Sequence, residues 1–294
     1  MEKPTTQFDS EDLETQPSSF PGPPSEGSCN DQEGVHFSSN NKSHIEREFK
    51  RQVRENESPW DTFQRVFTCS LAGTVIICVD RSPSSRIEAI REYSLDVADK
   101  FLRLFQQIQH EKIISAKECY RDGDRCYARV DDLPLTLEYP VNLRITEYQL
   151  SSIMSQTINS LGHLIASGFE HTALTCSNIL LGSVGVVKIA ALELCEQRVS
   201  GQSQMPFIKA LAIIMMRLMQ KYEKDDGLIG INDVKRWPLD SCAVDFLTTT
   251  SSVQPVEALQ QHPFVTEHTL PRGELIGLAR LAPITTKTFY SNNV

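Results

Sequence analysis

Four side chains of this sequence have a type and a setting from which chemistry could be argued. His171 and Asn178 bracket a loop within Ser167-Gly168-Phe169-Glu170-His171-Thr172-Ala173-Leu174-Thr175-Cys176-Ser177-Asn178-Ile179-Leu180-Leu181. An imidazole there could carry a proton, and an amide could help to hold a cation. Arg91, at the end of Glu88-Ala89-Ile90-Arg91, could meet an anion, and Glu193 could offer a carboxylate to a metal. Each also has a plainer reading. His171 reads as a core histidine bracing its loop, and Asn178 as an amide bonded to its own loop. Arg91 reads as reaching solvent or a neighbouring acid, and Glu193 as an exposed loop acid. The eight cysteines stand singly, at 29, 69, 78, 119, 126, 176, 195 and 242, with no Cys-x-x-Cys pair and no Cys/His ligand spacing. Zinc is therefore not expected, and reduced buried thiols are.

The elements that must position these residues follow from periodicity. Phe63–Thr68, Gly73–Val79 and Ile87–Tyr93 predict three strands, the last after the turn-prone Arg81-Ser82-Pro83-Ser84-Ser85. Leu95–Gln109 predicts a helix, with Val97, Phe101, Leu104, Phe105 and Ile108 at helical spacing. Ile113–Glu118 and Cys126–Asp131 predict strands around Asp122-Gly123-Asp124. A long amphipathic helix is predicted over Glu147–Ser167, ended by Gly168. Asn178–Leu181 and Val186–Ala190 predict a hairpin. Phe207–Met219, apolar nearly all round, predicts a buried helix whose stripe is core and not a cofactor box. Shorter helices follow near Cys242–Thr248 and Val256–His262.

Composition bounds the partners. Among 294 residues, 29 Lys and Arg face 38 Asp and Glu, a net charge of −9 that argues against nucleic acid and against a polybasic membrane contact. No apolar run approaches the ~18–20 residues that span a bilayer, and the start, Met1-Glu2-Lys3-Pro4, lacks an apolar signal core. An intracellular protein, cytoplasmic or nuclear, is the expectation. Residues 1–58 are rich in Pro, Ser, Gly, Gln, Asn and acids, and read as a disordered tail. Its end, Lys42 to Glu57, reads as a polar linker or a solvated helix. Residues 59–294 then form the ordered domain.

The loop from Ser167 to Leu181 resembles the catalytic loop of eukaryotic protein kinases, His-Arg-Asp-x-Lys-x-x-Asn followed by Ile-Leu-Leu. Gly185-Val186-Val187-Lys188-Ile189-Ala190 is similar to the strand leading into Asp-Phe-Gly in that family, and Glu257–Phe264 to the last helix of its PAK group. The resemblance runs from about Trp60 to Ala282. It implies an α+β, two-lobed protein-kinase fold, with a β-rich N-lobe over about 60–132 and a trimmed helical C-lobe over about 133–294.

Residue by residue, the resemblance implies a degenerate site. Phosphoryl transfer rests on positioning and charge neutralisation by few groups. The catalytic-base position is Ala173, and the phosphate-contacting lysine position is Thr175. The magnesium-binding Asp of Asp-Phe-Gly is Ala191; Asn178 is retained, as is His171. The nucleotide lysine is Arg91 and its helix glutamate partner is Phe101. Of the glycine-rich loop, Thr68-Cys69-Ser70-Leu71-Ala72-Gly73-Thr74-Val75 keeps only the last glycine. The loop arginine is Thr172. The stretch between Ala191 and Phe207 is too short for an ordinary activation loop, no Ala-Pro-Glu occurs, and the arginine that would pair with its glutamate aligns with Val253. Loss of both ends of that pair together leaves no unpaired buried charge, which favours an adapted fold. The small-GTPase-binding elements of PAK enzymes do not occur in residues 1–58, and Ser58-Pro59 and Ser82-Pro83 are phosphoacceptor motifs of little weight.

The resemblance and its losses together imply a pseudokinase: no enzyme, no cofactor, no magnesium, and a binding, scaffolding or regulatory role toward a protein partner. The alternative is an ATP-binding protein with weak or atypical serine/threonine kinase activity that uses Arg91, Asn178 and Glu193 in new roles. A nucleotide-binding inactive module and a decaying paralogue stay open beside these.

Overall fold

The computed structural model of the chain describes residues 53–290, apart from 84, 132, 200, 226, 253–254 and 268–272. The tail over residues 1–52, most of the segment from Lys42 to Glu57, and Val253 lie outside the described residues.

The first region is a sheet. Successive side chains of β3 (Thr74–Asp80) and β4 (Ile87–Ser94) point to opposite faces, and both faces are covered: Val75 and Ile76, and Ala89 and Ile90, are buried in succession. With β1 (Val53–Glu55), β2 (Phe63–Ser70), β5 (Ala116–Asp122) and β6 (Arg125–Val130) they form six strands in the order β1-β5-β6-β4-β3-β2. All pairings are antiparallel except β1 with β5, where Val53 faces Cys119. Helix α1 (Leu95–Gln107) lies on one face and buries Ala98, Phe101, Leu102 and Phe105, a stripe at 3–4 spacing. The other face holds a small cluster of Phe63, Cys78, Ile90, Tyr120 and Tyr127.

Two sequence expectations shift here. Residues 53–55, placed with the tail on composition, form β1, tied down by Arg54 to Glu118 at 2.9 Å. The strand expected over Ile113–Glu118 starts later. Ile113 makes an isolated bridge to Ile189, and Ile114 donates its N–H to the Ile189 carbonyl at 2.9 Å. An apolar pair reads as strand on type alone, but its backbone partners lie in another sheet.

The second region is mainly helical. After β7 (Leu135–Thr136) and α2 (Glu138–Val141), the long α3 (Glu147–Ala166) forms its axis. Leu150, Ile153, Met154, Ile158, Leu161 and Leu164 of α3 are fully buried. The helix begins with a capping box, Thr146 accepting from the Gln149 amide while the Gln149 side chain accepts from the Thr146 N–H. It ends at Gly168, whose φ of 80° takes the left-handed turn that a side chain resists. Around it pack α4 (Met205–Gln220), α5 (Cys242–Thr249), α6 (Val256–Gln260), α7 (Pro263–Thr266) and α8 (Gly273–Tyr290). Helix α4 is buried nearly all round; Arg217 leaves it to reach Glu138 at 2.7 Å. Among the described residues no helix is long and apolar enough to cross a membrane.

Short strands then set the loops. β8 (Phe169–His171) pairs with β11 (Cys195–Gln197), and β9 (Ile179–Leu181) pairs with both β7 and β10 (Val187–Ile189). The loop 172–178 and the segment 190–194 are thus held side by side.

The capping box yields a first test. Thr146→Ala should cost about 1 kcal/mol, read as a fall in Tm of about 2–4 °C by thermal denaturation.

Candidate functional site

Strand β4 carries Ala89, Arg91 and Tyr93 on the face toward α1, because side chains alternate along a strand. Arg91 is only 3% exposed, yet finds neither solvent nor an acid. Its guanidinium donates from Nη1 to the Ala72 carbonyl at 2.7 Å and from Nη2 to the Leu71 carbonyl at 2.5 Å. Both acceptors belong to the β2–β3 hairpin turn. A hairpin tip is ordinarily exposed, but Leu71 and Ala72 are 7% and 4% exposed. Ala72 has a φ of 53°, a left-handed conformation that costs a residue with a Cβ roughly 1–2 kcal/mol. Gly73, at φ 102°, has no such penalty, and a Cβ there would stand 3.1 Å from Arg91 Nη1 and 3.4 Å from Glu193 Oε1.

This inward tip fills the space between the sheet and the strands of the helical region. What remains is a cavity of about 10 Å³, lined by Leu71, Val75, Ala89, Arg91, Leu133 and Leu180 among others. Small-molecule sites are typically ~300–1,000 Å³. Asp131 at its edge is engaged by Lys188 at 2.6 Å.

Behind Arg91, Phe101 is 2% exposed. Its ring lies 4.0 Å from that of Tyr93 and 4.2 Å from that of Phe105, edge-on to the latter. Burial pushes the Tyr93 phenol well above its ordinary range, opposed by the nearby Arg91 guanidinium. Tyr93 Oη, Arg91 Nε and Glu193 Oε2 are all buried and lack a well-formed hydrogen bond among the described residues. Glu193 is therefore not the exposed loop acid expected: it is half-buried and turned toward the hairpin.

The loop between β8 and β9 is braced by its own groups. His171 is buried and its Nε2 bonds the Ala190 carbonyl at 2.9 Å, which puts the proton on Nε2. Burial holds its pKa below the ordinary value. Asn178 Nδ2 donates to the Ala173 carbonyl at 2.6 Å, and the main-chain carbonyl of Asn178 accepts from the Ala190 N–H at 2.9 Å. Thr172 Oγ1 donates to the Leu194 carbonyl at 2.9 Å. Ala173 and Thr175 are exposed, Thr175 Oγ1 meeting Ser177 Oγ at 2.7 Å. Ala191 is buried in the left-handed region, φ 56° and ψ 49°. The structure thus brings Arg91, Phe101, Tyr93 and Glu193 together under the hairpin, and His171, Ala173, Asn178 and Ala191 together at the loop. Among the described residues no three His, Cys, Asp or Glu side chains converge as a metal would require.

Sequence reasoning missed Leu71 and Tyr93. A leucine at a hairpin tip was a signal, as was a tyrosine two positions beyond Arg91 on the same strand face. It also missed a cavity of about 570 Å³ between α1 and β1, lined by Val53, Glu55, Asp99, Leu102, Arg103 and Arg121 among others. That groove depends on β1, which composition had assigned to the tail.

The β-rich first region, the helices after it and the paired loops are consistent with a protein kinase-like fold. No family model matches the chain. It is 26% identical over 166 residues to mitogen-activated protein kinase kinase kinase 1 of Arabidopsis thaliana, covering 54% of this chain and 26% of that protein. It is 25% identical over 163 residues to mitogen-activated protein kinase kinase kinase 9 of the same plant, covering 54% of this chain and 21% of that one. The chain spans about a quarter or less of the length of these curated relatives. This distant likeness supports a protein kinase-like domain.

Two tests follow. Phe101→Ala should destabilise by about 3–5 kcal/mol, from lost burial plus the cavity left in the ring stack, measured by urea denaturation. The second concerns pH. Burial lowers the pKa of His110, His163 and His171 in the fold. The unfolded chain then binds protons first, so stability is complete above about pH 6.5 and declines as pH falls below it. The urea midpoint should be lower at about pH 5.5 than at about 7.5; equal midpoints would contradict the buried neutral imidazoles.

Proposed function

We propose that this chain carries a two-lobed protein kinase-like domain that has lost phosphoryl transfer and acts by binding a protein partner, that is, a pseudokinase with a scaffolding or regulatory role. The observation that supports this reading is the narrow slot: Leu71 and Ala72 of the β2–β3 turn are buried, and the cavity that Leu71 lines holds about 10 Å³. The loop chemistry agrees. The positions aligned with the catalytic base and the metal carboxylate are Ala173 and Ala191, and a methyl group neither accepts a proton nor ligates a cation. Asn178, a neutral amide already bonded to the Ala173 carbonyl, does not replace them. Arg91 is committed to backbone carbonyls and has no glutamate on α1 to pair with, since Phe101 stands there. Neither ATP nor magnesium is part of the proposed function. The PAK-like character of the last helices remains a feature of the resemblance alone.

The test uses the full chain. Incubation with ATP, magnesium and a generic protein substrate should give no transfer above a buffer control. Thermal titration with ATP or ADP, with magnesium or chelator, should give no shift, whereas a ligand at ~100 times its Kd would add about 2.7 kcal/mol. The double variant Ala173→Asp with Ala191→Asp should remain inactive, because returning two carboxylates does not empty the slot. Magnesium-dependent transfer by the unaltered chain would overturn the reading in favour of a weak or atypical kinase.

A further inference from the structure

The link between α1 and β5, residues 108–115, ties the first region to the helical one through its backbone. The Lys112 carbonyl accepts from the Ile189 N–H of β10 at 3.0 Å and from Ser160 Oγ of α3 at 2.9 Å. The Ile114 N–H donates to the Ile189 carbonyl at 2.9 Å. Two half-buried imidazoles stand at this junction. The rings of His110, in the link, and His163, on α3, are stacked, with centroids 4.6 Å apart and planes 24° from parallel. His110 Nδ1 also accepts from the Lys112 N–H at 3.1 Å, which leaves the proton of the neutral ring on Nε2. A ring nitrogen thereby makes the turn that an Asn or Asp side chain makes with the amide two residues on.

Both contacts need uncharged rings. A proton on Nδ1 turns the acceptor into a second donor that faces the Lys112 N–H. Two imidazolium rings at stacking distance repel. The charges around them do not offset this. Within the link His110 faces Glu111 and Lys112, which pair with each other at 3.4 Å. From β10 it faces Lys188, itself paired with Asp131 at 2.6 Å. From α3 it faces His163. On the α3 surface nearby, Asn159 and Gly162 carry no charge, nor does Gln260 of α6, which bonds Asn159 and packs over Gly162. Burial holds both imidazoles below their ordinary pKa, and His163 lowers that of His110 further.

We propose that the His110–His163 stack is a proton-sensitive latch between the α1–β5 link and α3, closed while both rings are neutral and released in acid without unfolding of the helical region. The element with two states is the link itself. With the rings neutral, the turn at His110 presents the Lys112 carbonyl to β10 and α3. With a ring charged, that turn loses its acceptor and the stack its attraction, so the first region is held less tightly to the second. Neither histidine belongs to the slot or to the loop 172–178, so the latch is independent of the pseudokinase reading.

The experiment is hydrogen–deuterium exchange of the full chain at about pH 7.5 and about pH 5.5, on either side of the ordinary imidazole pKa. Peptides of the link are compared with peptides of α4, each corrected for its intrinsic exchange rate. Protection of the link should fall about tenfold between the two conditions, while that of α4 holds. His110→Asn keeps an acceptor for the Lys112 N–H but cannot titrate, so the fall in its link should be under about twofold. His163→Gln removes the stack at any pH, and its link should exchange at least about threefold faster than that of the unaltered chain at about pH 7.5. Three results overturn the proposal: no fall in the unaltered link, or one that α4 shares; the same fall in His110→Asn; or a His163→Gln link as protected as the unaltered one at neutral pH. Where one variant does not fold, the other decides with the unaltered chain.

Discussion

A guanidinium withdrawn from water must be given acceptors, and the arrangement of the amino-terminal sheet around the slot follows from where Arg91 finds them. An unpaired buried cation would cost several kcal/mol. Arg91 meets no carboxylate from α1, where Phe101 lies behind it, and its acceptors are main-chain carbonyls of the β2–β3 turn. Drawing them in buries Leu71, forces Ala72 into the left-handed region and closes the space between the sheet and β9. One side chain thereby links the strand that bears it, the turn above it and the volume below it.

The neighbouring changes fit that single constraint. Phe101 lies behind Arg91 as an uncharged neighbour, and its ring packs on those of Tyr93 and Phe105. The loop beneath is tied largely to backbone, with Thr175 to Ser177 the side chain to side chain contact within it. His171 to Ala190, Asn178 to Ala173 and Thr172 to Leu194 are all side chain to carbonyl bonds. Such bonds fix a loop, because the donor atoms that make them are spent on geometry.

Periodicity made the regular elements legible. The strands from Phe63, Thr74 and Ile87, helix α1, the capped α3 and the buried α4 could all be read from apolar spacing, because each has one face that must leave water. The short strands β1, β7, β8 and β11 could not, because two or three residues carry no periodicity and their pairing partners are distant in sequence. Among the site residues, types alone supplied the expectations for Ala173, Thr175 and Ala191. They did not reveal the role of Arg91, since whether a charge meets solvent, an acid or a carbonyl depends on the tertiary path of a turn. Glu193 was misjudged for the same reason: a loop acid is exposed unless another element arrives above it, and here the hairpin does.

The three residues of β1 have a consequence for the protein in solution. A sheet with open edges offers unpaired backbone groups to other chains, and β5 would be such an edge without its parallel cover. β1 replaces a long strand border by a very short one that carries Arg54 and Glu55, both ion-paired across to β5, with Glu57 just after it. At the opposite border, the register of β2 slips between Arg65 and Phe67, so that strand does not present a flat template either. A fragment cut to begin at Trp60, where the hydrophobic pattern starts, would strip one border of its cover. Its defect would show as concentration-dependent self-association, while its core remained intact.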